Sequence, residues 1–168
     1  HRVGRLPVRA GDHVLLSGVS GPGDFAPVVE RPRVKVLGRA PLPAPSRLSP
    51  EDIFLGRGDS QWVELEGIIQ KTGPDSGYAA AQVAWGPHRY QIRLAEGSVP
   101  ASWIDARIRV RGACGTIFNS NRQVLGIQLF VPSPDQITVL DAPHAGPFET
   151  AIQPIHNLLQ FTPSEAPG

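Results

Sequence analysis

The sequence has no methionine, a single cysteine and few aromatic residues, which make up 7% of its 168 positions. The lone cysteine, Cys114, excludes an internal disulfide framework and leaves either redox compartment open. No apolar run approaches the ~20 residues that a transmembrane helix needs, and no signal peptide is visible. Because methionine is missing altogether, we expect the chain to be a fragment or processed piece of a longer protein.

Excess charge of either sign is also missing. The chain has 16 lysine and arginine residues against 15 aspartate and glutamate residues, for a net charge of +1. Such a balance creates no field that would attract a nucleic acid or an anionic membrane. The composition therefore argues against nucleic acid as a partner, and any membrane attachment would come from segments outside this chain.

The sequence shows no set of residues that could carry catalysis or hold a metal. No acid, base or nucleophile constellation is visible, and nothing marks Cys114 as activated, so we predict a small buried thiol there. No two histidines have the spacing of metal ligands; they are His1, His13, His88, His144 and His156. We therefore expect no metal, no cofactor and no enzymatic activity in this chain.

Glycine and proline, in contrast, are abundant, with 18 of each. That content is typical of short strands joined by turns. We predict a mainly β chain built on an OB-fold-like five-stranded barrel, flanked by partial neighbouring modules. The predicted strands are Gln61–Ile69, Ala79–Trp85, His88–Leu94, Arg107–Gly112 and Gln123–Val131, with one helix-like piece at Ser98–Asp105 and a last extended run at Gln136–Leu140.

Two of these strands alternate between apolar and charged residues, as half-buried strands do. On the first strand Glu64 and Glu66 face away from the apolar side chains. On the fourth strand Arg107, Arg109 and Arg111 do the same. The two strands are neighbours in an OB barrel, so we predict glutamate–arginine pairs that contribute roughly 0.2–1 kcal/mol each. The alternative is an unpaired basic stripe that binds a nucleic-acid backbone.

Connectors rich in proline and glycine divide the chain into modules. Residues 39–48 form a stiff proline-rich connector, and a short helix at Ser49–Leu55 follows it. We predict that residues 49–140 are a complete OB-like barrel with this leading helix. Residues 1–38 would be the C-terminal strands of a preceding OB-like module, and residues 141–168 a connector and helix leading to a next module.

Three segments recur in the same order, which favours a tandem array of barrels over a chance match. The pairs are Gly11–Val19 with Asp105–Ala113, Val34–Leu37 with Ile137–Leu140, and Ser49–Leu55 with Gln153–Leu159. Unpaired strands within residues 12–37 would expose hydrogen-bonding edges. We expect these strands to dock on the central barrel or to pair with another copy of the chain.

One set of motifs runs through most of the chain: Trp62–Gly67, Ala106–Gly115, Asn119–Pro132 and Pro154–Phe161. Together they resemble the repeated OB-like region ahead of the membrane segments in some bacterial sensor histidine kinases. The resemblance implies a non-catalytic, extracytoplasmic (periplasmic) sensory or scaffolding segment of a two-component signal-transduction protein. The phospho-accepting histidine block and the ATP-binding glycine blocks of such kinases are absent, so any kinase activity would belong to parts of the protein outside this chain.

The usual binding surface of an OB-fold lies on its second and third strands and the loops that bound them. We predict that a small ligand or a protein partner binds there, while adjoining modules of the same protein contact the ends of the chain. The candidate ligand-binding residues are Arg89, Gln91, Arg93, Asn119, Asn121 and Arg122.

Two other functions stay open on the sequence alone. The barrel could bind single-stranded nucleic acid or an oligosaccharide, with Tyr78, Trp85 and Tyr90 as stacking surfaces. Tyr90 shares a strand face with Ile92 and Leu94, however, so we predict that it belongs to the core. The chain could also be a passive spacer that holds the sensing parts of a larger protein at a set distance.

Overall fold

The centre of the structure is a closed ring of five β-strands. The structure is a computed structural model, and it describes residues 8–23, 27–119, 121 and 123–143. In chain order its elements are β1 (Asp12–Gly21), β2 (Val28–Arg39), α1 (Pro50–Phe54), β3 (Trp62–Asp75), β4 (Tyr78–Trp85), β5 (His88–Leu94), a 3-10 turn (Ala101–Trp103), β6 (Arg107–Phe118), β7 (Val124–Val131), a second 3-10 turn (Pro134–Gln136) and β8 (Ile137–Asp141).

The strand order confirms the predicted OB-type barrel. Neighbouring strands run β3–β4–β5–β7–β6, and β6 pairs again with β3 to close the ring. β5 and β7 are parallel, whereas the other neighbours in the ring are antiparallel. Counted within the barrel, this is the 1-2-3-5-4-1 Greek-key order of the OB-fold. β8 pairs antiparallel with the first residues of β6, so it extends the barrel at one edge.

Alternating side chains of β3 form one wall of the core. Val63, Leu65 and Ile69 are at most 2% exposed, whereas Ile68 on the outer face is 47% exposed. Gly67 falls in the inner series, and a Cβ atom there would lie 2.4 Å from a carbonyl oxygen of β4. A glycine at this position therefore allows β3 to pair with β6 along its first half and with β4 along its second half.

The first barrel strand runs beyond its predicted end at Ile69, so that predicted boundary was wrong. β3 continues to Asp75, which still pairs with Tyr78 of β4. Only Ser76 and Gly77 form the turn, with φ values of +50° and +87°. Positive φ at both central positions is typical of a two-residue type I′ hairpin. Gly73 and Pro74 are residue types typical of turns, but cross-strand pairing with β4 keeps both in the sheet.

The short helix α1 is the one predicted after the proline-rich connector. Ser49 caps it, because the Ser49 hydroxyl accepts a hydrogen bond of 3.1 Å from the Asp52 backbone amide. Gly56 follows the last turn with a φ of +80°, the left-handed conformation that commonly ends a helix. Ile53 is fully buried in the barrel core, so the helix packs against the barrel.

The helix expected between the third and fourth barrel strands is only one 3-10 turn. It was predicted at Ser98–Asp105 and spans Ala101–Trp103. Asp105 takes a left-handed φ of +69° just before β6. Trp103 is half-buried and packs against the core cluster, so this short turn still contributes to the barrel interior.

β1 and β2 form a separate two-stranded antiparallel sheet, called the N-terminal hairpin below. β2 is continuous through Pro32, and a register shift lies opposite it between Ser17 and Val19 of β1. Large apolar side chains of this hairpin are exposed, among them Leu16 at 49% and Val36 at 46%. In the described chain, therefore, the central barrel does not cover them.

The C-terminal part of the chain lies outside the described residues. This part, residues 144–168, includes the helix predicted within Gln153–Leu159. Within the described ranges, no helix combines the length and the apolar character that crossing a membrane would require.

Candidate ligand-binding site

A ladder of acidic and basic side chains covers the outer face of β3 and β6. The register places Glu64 opposite Arg111 and Glu66 opposite Arg109. Arg111 donates from Nε to Glu64 at 2.8 Å. Arg109 and Arg107 donate to Glu66 at 2.7 and 2.8 Å. The predicted cross-strand pairs are confirmed, and the arginine stripe is neutralised rather than free to bind a nucleic-acid backbone.

Glu64 is the most buried carboxylate of this ladder, with 8% of the residue exposed. Arg47 reaches it from the proline-rich connector at 3.1 Å, and Arg109 approaches to 3.9 Å. The Arg111 hydrogen bond, helped by these guanidinium groups, lowers the pKa of Glu64 against the opposing effect of burial. The carboxylate therefore stays charged at neutral pH and holds three basic side chains in place.

A cleft of about 470 Å³ opens between the β3–β4 hairpin, β5 and the β6–β7 hairpin. The cleft includes residues of β4 and β5, the second and third barrel strands on which the binding face was predicted, and also residues 71–75 of the first barrel strand, β3. Its lining combines polar side chains of β3, β4 and β5 with apolar side chains of β6 and β7. The polar group is Lys71, Thr72, Asp75, Gln82, Arg89 and Gln91, and the apolar group is Ile117, Leu125 and Ile127.

Two of the predicted site residues are held by a carboxylate that the sequence analysis missed. Asp75 at the end of β3 accepts hydrogen bonds from Arg93 Nε at 2.8 Å and from Gln91 Nε2 at 3.1 Å. Arg93 also lies 2.6 Å from Asp75 through Nη2 and lowers the pKa of that carboxyl group. Gln91 lines the cleft, but Arg93 does not. Arg93 thus serves to tie the β3–β4 hairpin to β5.

Two cationic side chains of the cleft face no acidic partner in the part of the chain that the structure describes. Arg89 donates from Nε to the neutral amide oxygen of Gln70 at 2.9 Å. Lys71, which also lines the cleft, makes no ion pair with a described residue. Arg89 is one of the predicted ligand-binding residues, whereas Lys71 is not, because it lies beyond the predicted end of the first strand at Ile69. Both charges are available to a ligand.

The β6–β7 connection carries the remaining candidates. The side-chain oxygen of Asn119 accepts hydrogen bonds from the backbone amides of Asn121 at 2.9 Å and Gln123 at 3.0 Å. Asn119 therefore shapes its own loop, and neither Asn119 nor the exposed Asn121 lines the cleft. Arg122 lies outside the described residues. β6 itself runs to Phe118, beyond its predicted end at Gly112.

Aromatic rings do not form a stacking surface in the described cleft. Tyr90 is 2% exposed and donates from its hydroxyl to the Glu66 carbonyl oxygen at 3.2 Å, which confirms its predicted place in the core. Trp85 packs edge-on against Tyr90 with ring centroids 6.3 Å apart. Tyr78 is 41% exposed but is not among the cleft residues. Single-stranded nucleic-acid sites rely on such exposed rings.

Cys114 is a buried thiol, as predicted, with 2% of the residue exposed. Desolvation, with a contribution from the charge of Asp59, raises its pKa to about 11. A nucleophilic cysteine needs the opposite shift. Among the residues that the structure describes, no group of three or more histidine, cysteine, aspartate or glutamate side chains could hold a metal ion.

No family model matches the chain, and no curated protein matches it either. Among solved structures, the chain is similar to an aspartyl-tRNA synthetase from Entamoeba histolytica, with a TM-score of 0.42 and 10% sequence identity. The match covers 60% of this chain and 22% of that protein. A protein assigned as an aspartyl-tRNA synthetase from Leishmania major Friedlin is similar with a TM-score of 0.43 and 9% identity, over 64% and 23%. The chain spans less than a quarter of the length of either.

Proposed function

We propose that this chain is a non-catalytic binding module whose cleft takes a small anionic ligand with an apolar portion. Lys71 and Arg89 line the same cleft, and neither charge is neutralised by an acidic residue of the described chain. That pair of cations is the observation that carries the proposal. A carboxylate or phosphate group would supply the missing countercharge through charge-assisted hydrogen bonds.

The apolar side chains of the cleft fit the rest of such a ligand. Ile117 and Leu125 are 38% and 67% exposed and also line the cleft. Exposed apolar groups beside a few convergent polar groups are characteristic of small-molecule sites. Binding would cover these side chains and remove apolar surface from water, at roughly 25 cal/mol per Å².

We further propose that the module is the extracytoplasmic, periplasmic sensory segment of a bacterial two-component sensor histidine kinase. The motif resemblance supports this proposal, and the cleft gives a sensor a place for its ligand. Ligand binding would alter the relation of the barrel to its adjoining modules, and so the signal that crosses the membrane through segments outside this chain. Replacing Arg89 in the whole kinase should then reduce ligand-dependent autophosphorylation; signalling unchanged by that replacement would favour a passive spacer.

The ligand proposal is tested by calorimetric titration of the chain with succinate, inorganic phosphate and a short oligogalacturonate. Lys71→Gln and Arg89→Gln should each weaken binding about tenfold or more, because each removes a charge-assisted contact of ~1.5–3 kcal/mol. Arg57→Gln is the matched control, since Arg57 pairs with Asp52 beside α1 and lies outside the cleft.

Two results would overturn this proposal. One is an equal loss of affinity in all three variants, and the other is no binding of any of the three anions. An oligothymidylate that binds more tightly, with an affinity that falls steeply as salt rises, would instead support the single-stranded nucleic-acid function.

A further inference from the structure

The N-terminal hairpin repeats the residue pairing of the second half of the barrel. In the hairpin Val14 pairs with Val36, and Leu16 pairs with Val34. In the barrel the sequence counterparts of Val14 and Leu16 are Ile108 and Val110 of β6. Their partners in β8 occupy the positions of Val36 and Val34: Ile108 pairs with Val139, and Val110 pairs with Ile137.

The correspondence continues into β7, which the sequence repeat did not include. Val19 pairs with Glu30 and Ser20 with Val29, just as Ala113 pairs with Phe130 and Cys114 with Leu129. β2 pairs with one edge of β1 along its whole length. It thus occupies the positions that β7 and β8 occupy in succession along one edge of β6. The second 3-10 turn lies between β7 and β8, whereas Arg31 and Pro32 suffice to bridge the same gap in β2.

Irregular features of the backbone recur at the same positions. A register shift lies between His13 and Val14, and its counterpart lies between Arg107 and Ile108. Gly11 has a φ of +85°, and its counterpart Asp105 has a φ of +69°.

The glycines of the two hairpins also match. A Cβ on Gly18 would meet Val29 and the carbonyl oxygen of Glu30, while a Cβ on Gly112 would meet their counterparts in β7. Bulges and tight glycines at matched positions are conformational features that a chance similarity of alternating strands would not reproduce.

The N-terminal hairpin and its counterpart in the barrel, β6 with β7 and β8, differ in how far their apolar side chains are buried. Ile108 and Val110 are fully buried, because β3 pairs with the other edge of β6 and closes the ring. Their hairpin counterparts Val14 and Leu16 are 37% and 49% exposed. Among the described residues β1 pairs with β2 alone, so the edge that corresponds to the β3 side of β6 is free.

We propose that the N-terminal hairpin is the closing hairpin of a second OB barrel, and that its apolar face and free β1 edge are covered by the first three strands of that barrel. These strands would belong to the same polypeptide, ahead of residue 1, as β3, β4 and β5 precede β6. The β3–β5 strands of another copy of the chain are already hydrogen-bonded within their own barrel, so they are not the strands expected to pair with β1.

Hydrogen exchange tests the proposal by comparing the 168-residue chain with the natural protein extended upstream of His1. In the extended protein we expect the β1 amides to exchange at least about 100-fold more slowly, because an exposed edge becomes an interior strand. In the 168-residue chain we expect a monomer in which β1 exchanges fast while β6 is protected. Fast exchange of β1 in both proteins would overturn the proposal. So would a dimer of the 168-residue chain that protects β1 by itself.

A pair of neighbouring substitutions in the extended protein gives an independent measurement. Leu16→Asp places a charge on the face that corresponds to the barrel interior, and Leu15→Asp places one on the opposite face, where the counterpart is Arg109. We expect Leu16→Asp to abolish the protection of β1 and Leu15→Asp to preserve it. Equal effects of the two substitutions would contradict the assignment of the inner face.

Discussion

The Glu64 carboxylate offers a sharp test of the charge ladder. In Glu64→Gln the shape of the side chain is kept and only its charge is lost. Three guanidinium groups approach the carboxylate, from Arg111 at 2.8 Å, Arg47 at 3.1 Å and Arg109 at 3.9 Å. Only 5% of the Glu64 side chain is exposed, so water cannot replace these contacts.

The magnitude follows from the exposure of the partners. A hydrogen bond to a charged group, such as that of Arg111, contributes about 1.5–3 kcal/mol. Arg47 has 80% of its side chain exposed, and a pair with such a partner contributes less than about 1 kcal/mol. We therefore expect Glu64→Gln to lower the free energy of unfolding by about 2–3 kcal/mol, and the control Arg47→Gln by less than about 1 kcal/mol.

The assay is urea unfolding at a series of pH values. Because the arginines lower the pKa of Glu64 below its ordinary value of 4.5, the unfolded state takes up this proton more readily than the native state. The stabilisation by the charge is therefore complete above pH 4.5 and is lost as the pH falls through the native pKa. The difference between wild type and Glu64→Gln should shrink below pH 4.5. A difference that is absent at pH 7, or that persists unchanged in acid, would refute the electrostatic account.

Two further predictions concern the core. Gly67→Ala should lower the free energy of unfolding by about 1–3 kcal/mol, because its Cβ would clash with the Ala84 carbonyl oxygen. The control Gly126→Ala, whose Cβ meets nothing within 4 Å, should change stability little in the same denaturant titration; an equal loss in both variants would contradict the clash at Gly67. Cys114, whose pKa is raised to about 11, should resist a maleimide reagent at pH 8 in the native chain and react rapidly in urea, and fast labelling of the native chain would disprove its burial.

The sequence was sufficient for features that depend on one strand and its period. Alternation along β3 placed Val63 and Leu65 inside and Glu64 outside, because a strand sends successive side chains to opposite faces. The opposition of Glu64 and Arg111 followed once β3 and β6 were taken as neighbours in an OB barrel. Each of these features could be inferred without knowing the length of any turn.

The cleft could not be predicted in the same way, because it depends on cross-strand register. Asp75 meets Arg93 only because the Ser76–Gly77 turn has two residues, which fixes how far β3 extends beside β4. Glycine and proline near that turn are compatible with either a loop or a strand end. Lys71 therefore fell outside the predicted strands and was not among the predicted ligand-binding residues.

The unbroken course of β3 has a thermodynamic consequence for recognition. Its first half is clamped by ionic bonds to β6, and its last residues, up to Asp75, form one side of the cleft. In the proposed ligand-binding function, the paired β3 backbone would lose little conformational freedom on binding, so its contribution to the entropic penalty of association would be small. Such a site would select its ligands by their fit to a preformed surface rather than by rearrangement of the strand.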